Sequence, residues 1–119
     1  MLKELFGSIF GGTANSAIKN VSVNDTQEAL KDKNVQFIDV RTIAEYKSGH
    51  AKKAINFPLD TLENSLSKLD KNKPVYVICQ SGMRSMRGAS ILENAGFGEV
   101  HNVSGGTVSW ISAGLETEK

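Results

Sequence analysis

Apolar and polar positions along this chain switch repeatedly between a period of two and a period near three and a half. Val75-Tyr76-Val77-Ile78 is a short continuous apolar run rich in β-branched residues, the pattern of a strand buried on both faces. Val35 to Val40 reads as a second buried strand and Val100 to Val103 as a last one. Val21-Ser22-Val23 predicts a short strand, and Ala54-Ile55-Asn56-Phe57 a brief one closed by Pro58. Between these runs the pattern is helical. Asn24-Asp25-Thr26-Gln27 places a glutamine three residues after Asn24, a capping-box signature for a helix running to about Lys31. Thr42 to Ser48 predicts a short helix stopped by Gly49, and Leu59, Leu62, Leu66 and Leu69 form the apolar face of another. Arg84 to Ala95 predicts a helix with Gly88, Ala89, Leu92 and Ala95 on one side, small enough to lie close to a sheet. Gly96 stands where a left-handed cap belongs. Gly105-Gly106 then turns the chain into a short helix carrying Trp110.

Strands that alternate with helices predict an α/β fold, a mostly parallel sheet with helices on both faces. Ligand sites in such folds lie beyond the carboxyl ends of the strands. Ahead of this pattern, Leu2, Leu5, Phe6, Ile9 and Phe10 recur at helical spacing, Gly11-Gly12 interrupts them, and Thr13 to Asn20 is small and polar. The chain therefore divides into an amphipathic segment and linker, residues 1–20, and one domain, residues 21–119. The amphipathic segment lacks the basic face that binding to a membrane surface uses.

Composition narrows the picture. A chain of 119 residues fits one domain with one core, and 39% hydrophobic with 23% charged residues is ordinary for a soluble globular protein. The net charge of +1 does not point to nucleic acid, so any preference for anions must come from local placement. A single cysteine forms no intramolecular disulfide, and a free thiol fits a reducing cytoplasm. No apolar run approaches the roughly 18 residues needed to span a bilayer, and the first dozen or so residues do not read as a signal peptide.

That single cysteine, Cys79, stands where the central strand ends, followed by Gln80, Ser81, Gly82, Met83, Arg84 and Ser85 and then a helix. A thiol between a strand end and a helix start faces free backbone N–H groups and the positive end of a helix dipole, which favours the thiolate. Residues 80–85 are expected to wrap the sulfur with their N–H groups inward as an anion-binding nest. Gly82 allows a close approach or a positive φ. Arg84 adds a fixed positive charge, and Ser81 and Ser85 add hydroxyl donors. Buried cysteines often act only as small hydrophobes, but a glycine, two hydroxyls and an arginine make a poor apolar packing site. Cys79 is therefore read as a reactive thiol.

Other candidates carry less. His50 and His101 have no partner at metal-ligand spacing and no Cys/His cluster exists, so no metal site is expected. His50 is read as structural, on a loop near the active face. Asp39, Arg41 and Glu45 are read as a structural ion-pair group, and Gly105-Gly106 as a turn rather than a phosphate cradle.

Taken together, these fragments resemble a single-domain rhodanese-like sulfurtransferase. They are Asp39-Val40-Arg41 with Glu45-Tyr46, Gly49-His50, and Ala54-Ile55-Asn56-Phe57-Pro58. Then come Val77-Ile78-Cys79 through Gly82, Arg84-Ser85, Ala89, Leu92, Gly96-Phe97, Val100, Asn102, Gly105-Gly106 and Trp110. They span about residues 20–115 in the family's order. The family commonly has isoleucine where this chain has Ala51. The resemblance implies a five-stranded sheet and a sulfurtransferase without a cofactor. It implies that Cys79 accepts a sulfane sulfur from a donor such as thiosulfate and passes it to cyanide or a thiol. A protein is a further conceivable acceptor. The amides of Gln80 to Ser85 would hold the persulfide, and Arg84 would attract the anionic donor and favour departure of sulfite. A phosphatase on the same fold needs five residues between cysteine and arginine, and here there are four, a smaller ring that suits sulfur better than a phosphoryl group. The remaining alternatives are a non-catalytic binding module and a thiol-redox module, the latter needing an external thiol to resolve it.

Overall fold

The computed structural model describes residues 17–119. In chain order the elements are β1 (Ile18–Val21), α1 (Val23–Ala29), β2 (Gln36–Asp39), α2 (Ile43–Lys47), β3 (His50–Ala51), β4 (Ile55–Asn56), a 3-10 segment (Leu59–Lys68), β5 (Val75–Ile78), α3 (Met83–Asn94), β6 (Val100–Val103), α4 (Gly106–Ser112) and β7 (Thr117–Glu118). Five strands form one sheet in the order β1-β6-β5-β2-β4, every pair parallel. β3 and β7 make a separate antiparallel ribbon with His50 opposite Glu118.

The strand period of two sorts the core into two layers. Val75 and Val77 of the central strand and Cys79 just after it, with Ile38 and Val40, face Leu62 of the 3-10 segment and Ala89 and Leu92 of α3. Tyr76, Ile78, Phe37 and Val103 face the other way, against Val23 of α1 and Trp110 of α4. Gly88 is the contact point of α3 with the sheet, since a Cβ there would lie 3.3 Å from Val40 Cγ1 and 3.5 Å from Val77 Cγ1. The expected five-stranded parallel sheet, covered by helices on both faces, is therefore present.

Several boundaries differ from the sequence reading. The first strand is Ile18–Val21, and Ser22 is not a strand residue but the cap of α1, accepting the Asp25 N–H at 3.0 Å. Lys19 and Asn20 are exposed on this edge strand, so its pattern reads as a polar linker, and the capping-box reading at Asn24 falls two residues late. Residues 18–20, read from the sequence as linker, thus belong to the edge strand of the sheet, while the amphipathic stretch 2–10 lies outside the described residues. The leucine-faced helix is a 3-10 segment, whose side chains repeat every three residues and so present Leu59 and Leu62, then Leu66 and Leu69, to the core. The β3–β7 ribbon was not expected, because two residues per strand are too few to show a period. Among the described residues no helix is long and apolar enough to cross a membrane.

Candidate active site

Cys79 follows the last residue of β5, at the carboxyl edge of the parallel sheet, and its side chain is 1% exposed. The turn after it is fixed from behind by α4. The Thr107 N–H and the Thr107 hydroxyl both donate to the Cys79 carbonyl, at 2.8 and 2.9 Å, and the Val108 N–H donates to the Gln80 carbonyl at 3.1 Å. In a trans peptide the N–H points opposite to the C=O. Committing these two carbonyls to α4 therefore directs the N–H groups of Gln80 and Ser81 away from it. Gly106 makes this approach possible, for a Cβ there would fall 2.6 Å from the Cys79 and Gln80 carbonyl oxygens.

On the inner side the loop closes on sulfur. The Gly82 N–H donates to Cys79 Sγ at 3.1 Å, and Ser85 Oγ lies 3.3 Å from the same sulfur. Gly82 takes φ 107° as the residue preceding α3, which turns its N–H inward at a backbone angle other residues rarely adopt. Burial pushes the Cys79 thiol up, but the Ser85 hydroxyl and the N–H groups of Ser85, Gly82 and Ser81 outweigh it and hold the thiol below its ordinary range. Ser85 is fully buried and its hydroxyl donates to Asn102 Oδ1.

The other expected loop residues are disposed differently. Gln80, Ser81 and Met83 are exposed, Met83 at 81%, and of the three only Ser81 acts on the sulfur, through its backbone N–H. Arg84 is not a free cation. Its Nη1 and Nη2 donate to Glu45 Oε1 and Oε2 at 2.8 and 3.0 Å, and hydrogen bonding from Arg84 holds the Glu45 carboxyl down at about 2. Glu45 completes a capping box with Thr42 at the start of α2. The expected ion-pair group is thus split, with Glu45 on Arg84 and Asp39 on Arg41.

Arg41 and Asp39 form a buried pair, 3% and 0% exposed, that sequence reasoning treated as purely structural. It also reaches the loop. Arg41 Nη1 donates to Gln80 Oε1 at 3.2 Å and Nη2 to the Gly49 carbonyl at 2.8 Å. Asn56 Nδ2 donates to the carbonyls of Asp39 and Arg41 and fixes that end of β2. A cavity of about 560 Å³ opens beside Gln80, bounded by Arg41, Gly49, Thr107, Ile111, Glu118 and Lys119.

The histidines stand apart from the sulfur. His50 stacks on Tyr46 with ring centroids 3.6 Å apart, its Nδ1 2.9 Å from the Tyr46 carbonyl oxygen, and His101 stacks on Tyr76 and pairs with Glu99. Among the described residues no group of three or more His, Cys, Asp or Glu could hold a metal ion.

Comparison with known proteins agrees with this geometry. The family model described as Rhodanese-like domain matches residues 22–113. The chain is 31% identical over 98 residues to a thiosulfate sulfurtransferase GlpE of Shewanella oneidensis, covering 82% of this chain and 97% of the relative. It is 32% identical over 96 residues to a putative sulfur carrier protein YrkF of Bacillus subtilis, covering 80% of this chain and 52% of the relative. Among solved structures it is similar to a rhodanese-like domain protein from Staphylococcus aureus. That match has a TM-score of 0.74, 33% identity, and coverage of 85% of this chain and 99% of the other.

Proposed function

Because the chain belongs to the Rhodanese-like domain family, we propose that it is a sulfurtransferase whose Cys79 carries a sulfane sulfur as a persulfide between a small donor such as thiosulfate and a thiophilic acceptor, cyanide or a thiol. The thiolate attacks the sulfane sulfur of the donor. A new S–S bond forms at Cys79, the donor S–S bond breaks, and sulfite leaves with the electron pair. The acceptor then attacks the outer sulfur, and Cys79 leaves as thiolate.

The observation that carries this reading is the Gly82 N–H on Cys79 Sγ at 3.1 Å, in a loop with four residues between Cys79 and Arg84. A second sulfur bonded to Sγ extends about 2 Å further, with its negative charge among the N–H groups of the loop. Arg84 lies at the mouth of this ring, where it draws in an anionic donor and stabilises departing sulfite, with its charge tempered by Glu45. The likeness to a putative sulfur carrier protein supports a protein as one acceptor. A reducing cytoplasm is the compartment that suits the free thiol.

Intact-mass spectrometry after exposure to thiosulfate tests the reading. A gain of one sulfur, about 32 Da, removable by cyanide and absent from Cys79→Ser, is expected. Thiosulfate-to-cyanide turnover that persists in Cys79→Ser would overturn it.

A further inference from the structure

Behind Cys79 three polar side chains stand in line. Cys79 Sγ is 3.3 Å from Ser85 Oγ, Ser85 Oγ donates to Asn102 Oδ1, and Asn102 Nδ2 donates to Asn20 Oδ1 at 3.0 Å. Cys79, Ser85 and Asn102 are 1%, 0% and 4% exposed, so bulk water does not substitute for a missing partner. The line runs from α3 across β6 to the edge strand β1, where Asn20 is exposed.

A serine hydroxyl has one proton to donate. While Cys79 is a thiol, its S–H donates to Ser85 Oγ and the Ser85 hydroxyl donates onward to Asn102. When Cys79 ionises it can only accept, and a charged acceptor is the stronger one. The Ser85 proton then has two claimants. Turned to the sulfur, it leaves Asn102 Oδ1 buried without that donor; kept on Asn102, it leaves the thiolate one hydrogen bond short. For Asn102 to resolve the conflict by presenting its NH₂ to Ser85, it would have to break its bond to Asn20 Oδ1 and Asn20 would have to turn over with it.

We propose that Asn102, held by Asn20, is a positioning residue that competes with the Cys79 sulfur for the Ser85 proton. The empty thiolate is thereby left under-bonded. Once a second sulfur carries the charge outward, Ser85 can stay on Asn102 with no conflict. This last consequence rests on the persulfide reading; the competition itself does not. The charged groups beside the loop are two ion pairs, Arg84 with Glu45 and Arg41 with Asp39, and α3, β6 and β1 add Arg87, Glu93, His101 and Lys19; the substitutions below replace none of them.

The test is the pH dependence of Cys79 alkylation by iodoacetamide, followed on the intact chain by mass. It requires no sulfur transfer, so its failure is distinguishable from failure of the persulfide reading. Asn102→Leu is expected to move the midpoint down by about 0.5 to 1 pH unit. Asn20→Ala, at the exposed end of the line, is expected to move it the same way by less. Ser85→Ala is expected to raise the midpoint and to abolish the effect of adding Asn102→Leu. A midpoint that stays or rises in Asn102→Leu, or a downward shift that survives in the Ser85→Ala background, overturns the proposal. If Asn102→Leu does not fold, Asn20→Ala decides, and an unchanged midpoint there overturns it equally.

Discussion

Arg84 and Glu45 form a two-point ion pair, 2.8 and 3.0 Å, that ties the first turn of α3 to the first turn of α2. The arginine that follows the cysteine loop in sequence is thus a strut between α3 and α2. Its fork geometry matches the carboxylate, which a lysine would not reproduce.

Both side chains of this pair are more than a third exposed, so its contribution to stability is small. Glu45→Gln is expected to cost less than about 1 kcal/mol at pH 7, measured by urea unfolding. The folded-state Glu45 carboxyl is depressed to about 2. Its contribution is therefore complete above the ordinary glutamate range and fades as pH falls through that range toward 2. The stability gap between the parent and Glu45→Gln should close in that window. A gap that widens on acidification contradicts the assignment.

Gly106→Ala tests the contact between α4 and the loop. A Cβ at this position meets the Cys79 and Gln80 carbonyls at 2.6 Å, on a residue with φ 57°. The loop must move, so sulfur transfer should fall at least about tenfold and stability by about 1–3 kcal/mol. Gly98→Ala, with nothing within 4 Å of its Cβ, is the control and should change neither.

Arg41→Met leaves Asp39 charged and buried without its partner. A loss of about 3–5 kcal/mol is expected, read from the thermal or urea midpoint. Gln80→Ala removes only the outer link from Arg41 to the loop and should cost little stability. Equal losses in the two variants would show that the buried pair is not where the energy lies.

The thiol should react as a depressed one. Its alkylation rate should rise with pH around a midpoint below that of an ordinary cysteine, and Ser85→Ala should move that midpoint up. A midpoint at or above the ordinary range would mean that burial outweighs the loop hydrogen bonds.

Aryl phosphate turnover should be negligible beside sulfur transfer, since four residues rather than five separate Cys79 from Arg84. Comparable rates with p-nitrophenyl phosphate and thiosulfate would refute the size argument.

β5 was legible because Val75–Ile78 is an unbroken apolar run, and β2 and β6 because Phe37 and Ile38, and Val100 and Val103, still mark them as apolar stretches; the loop was legible because Cys79, Gly82, Arg84 and Ser85 follow the β5 run. Edge strand β1 was hidden by Lys19 and Asn20, which face solvent as linker residues do. The 3-10 segment was hidden because leucines spaced three and four apart fit either helix type. Partners distant in sequence were beyond reach of local pattern. Nothing around Arg84 signals that Glu45, 39 positions away, answers it, and Asn102, one fragment of the resemblance, has no evident role until the fold brings it against Ser85. Gly106 carried a signal, a glycine pair, but its reason is the Cys79 carbonyl packed against it rather than a turn alone.

The pairing of β7 with β3 has a practical consequence. It fastens Thr117 and Glu118 beside His50 and Ala51, and brings Lys119 to the edge of the cavity next to Gln80. Whatever is attached to Lys119, a fluorophore or a carrier, therefore stands on the rim of the cavity beside Gln80. A bulky attachment there would obstruct large acceptors more than small anions, whereas a tethered acceptor thiol would be delivered at high local concentration.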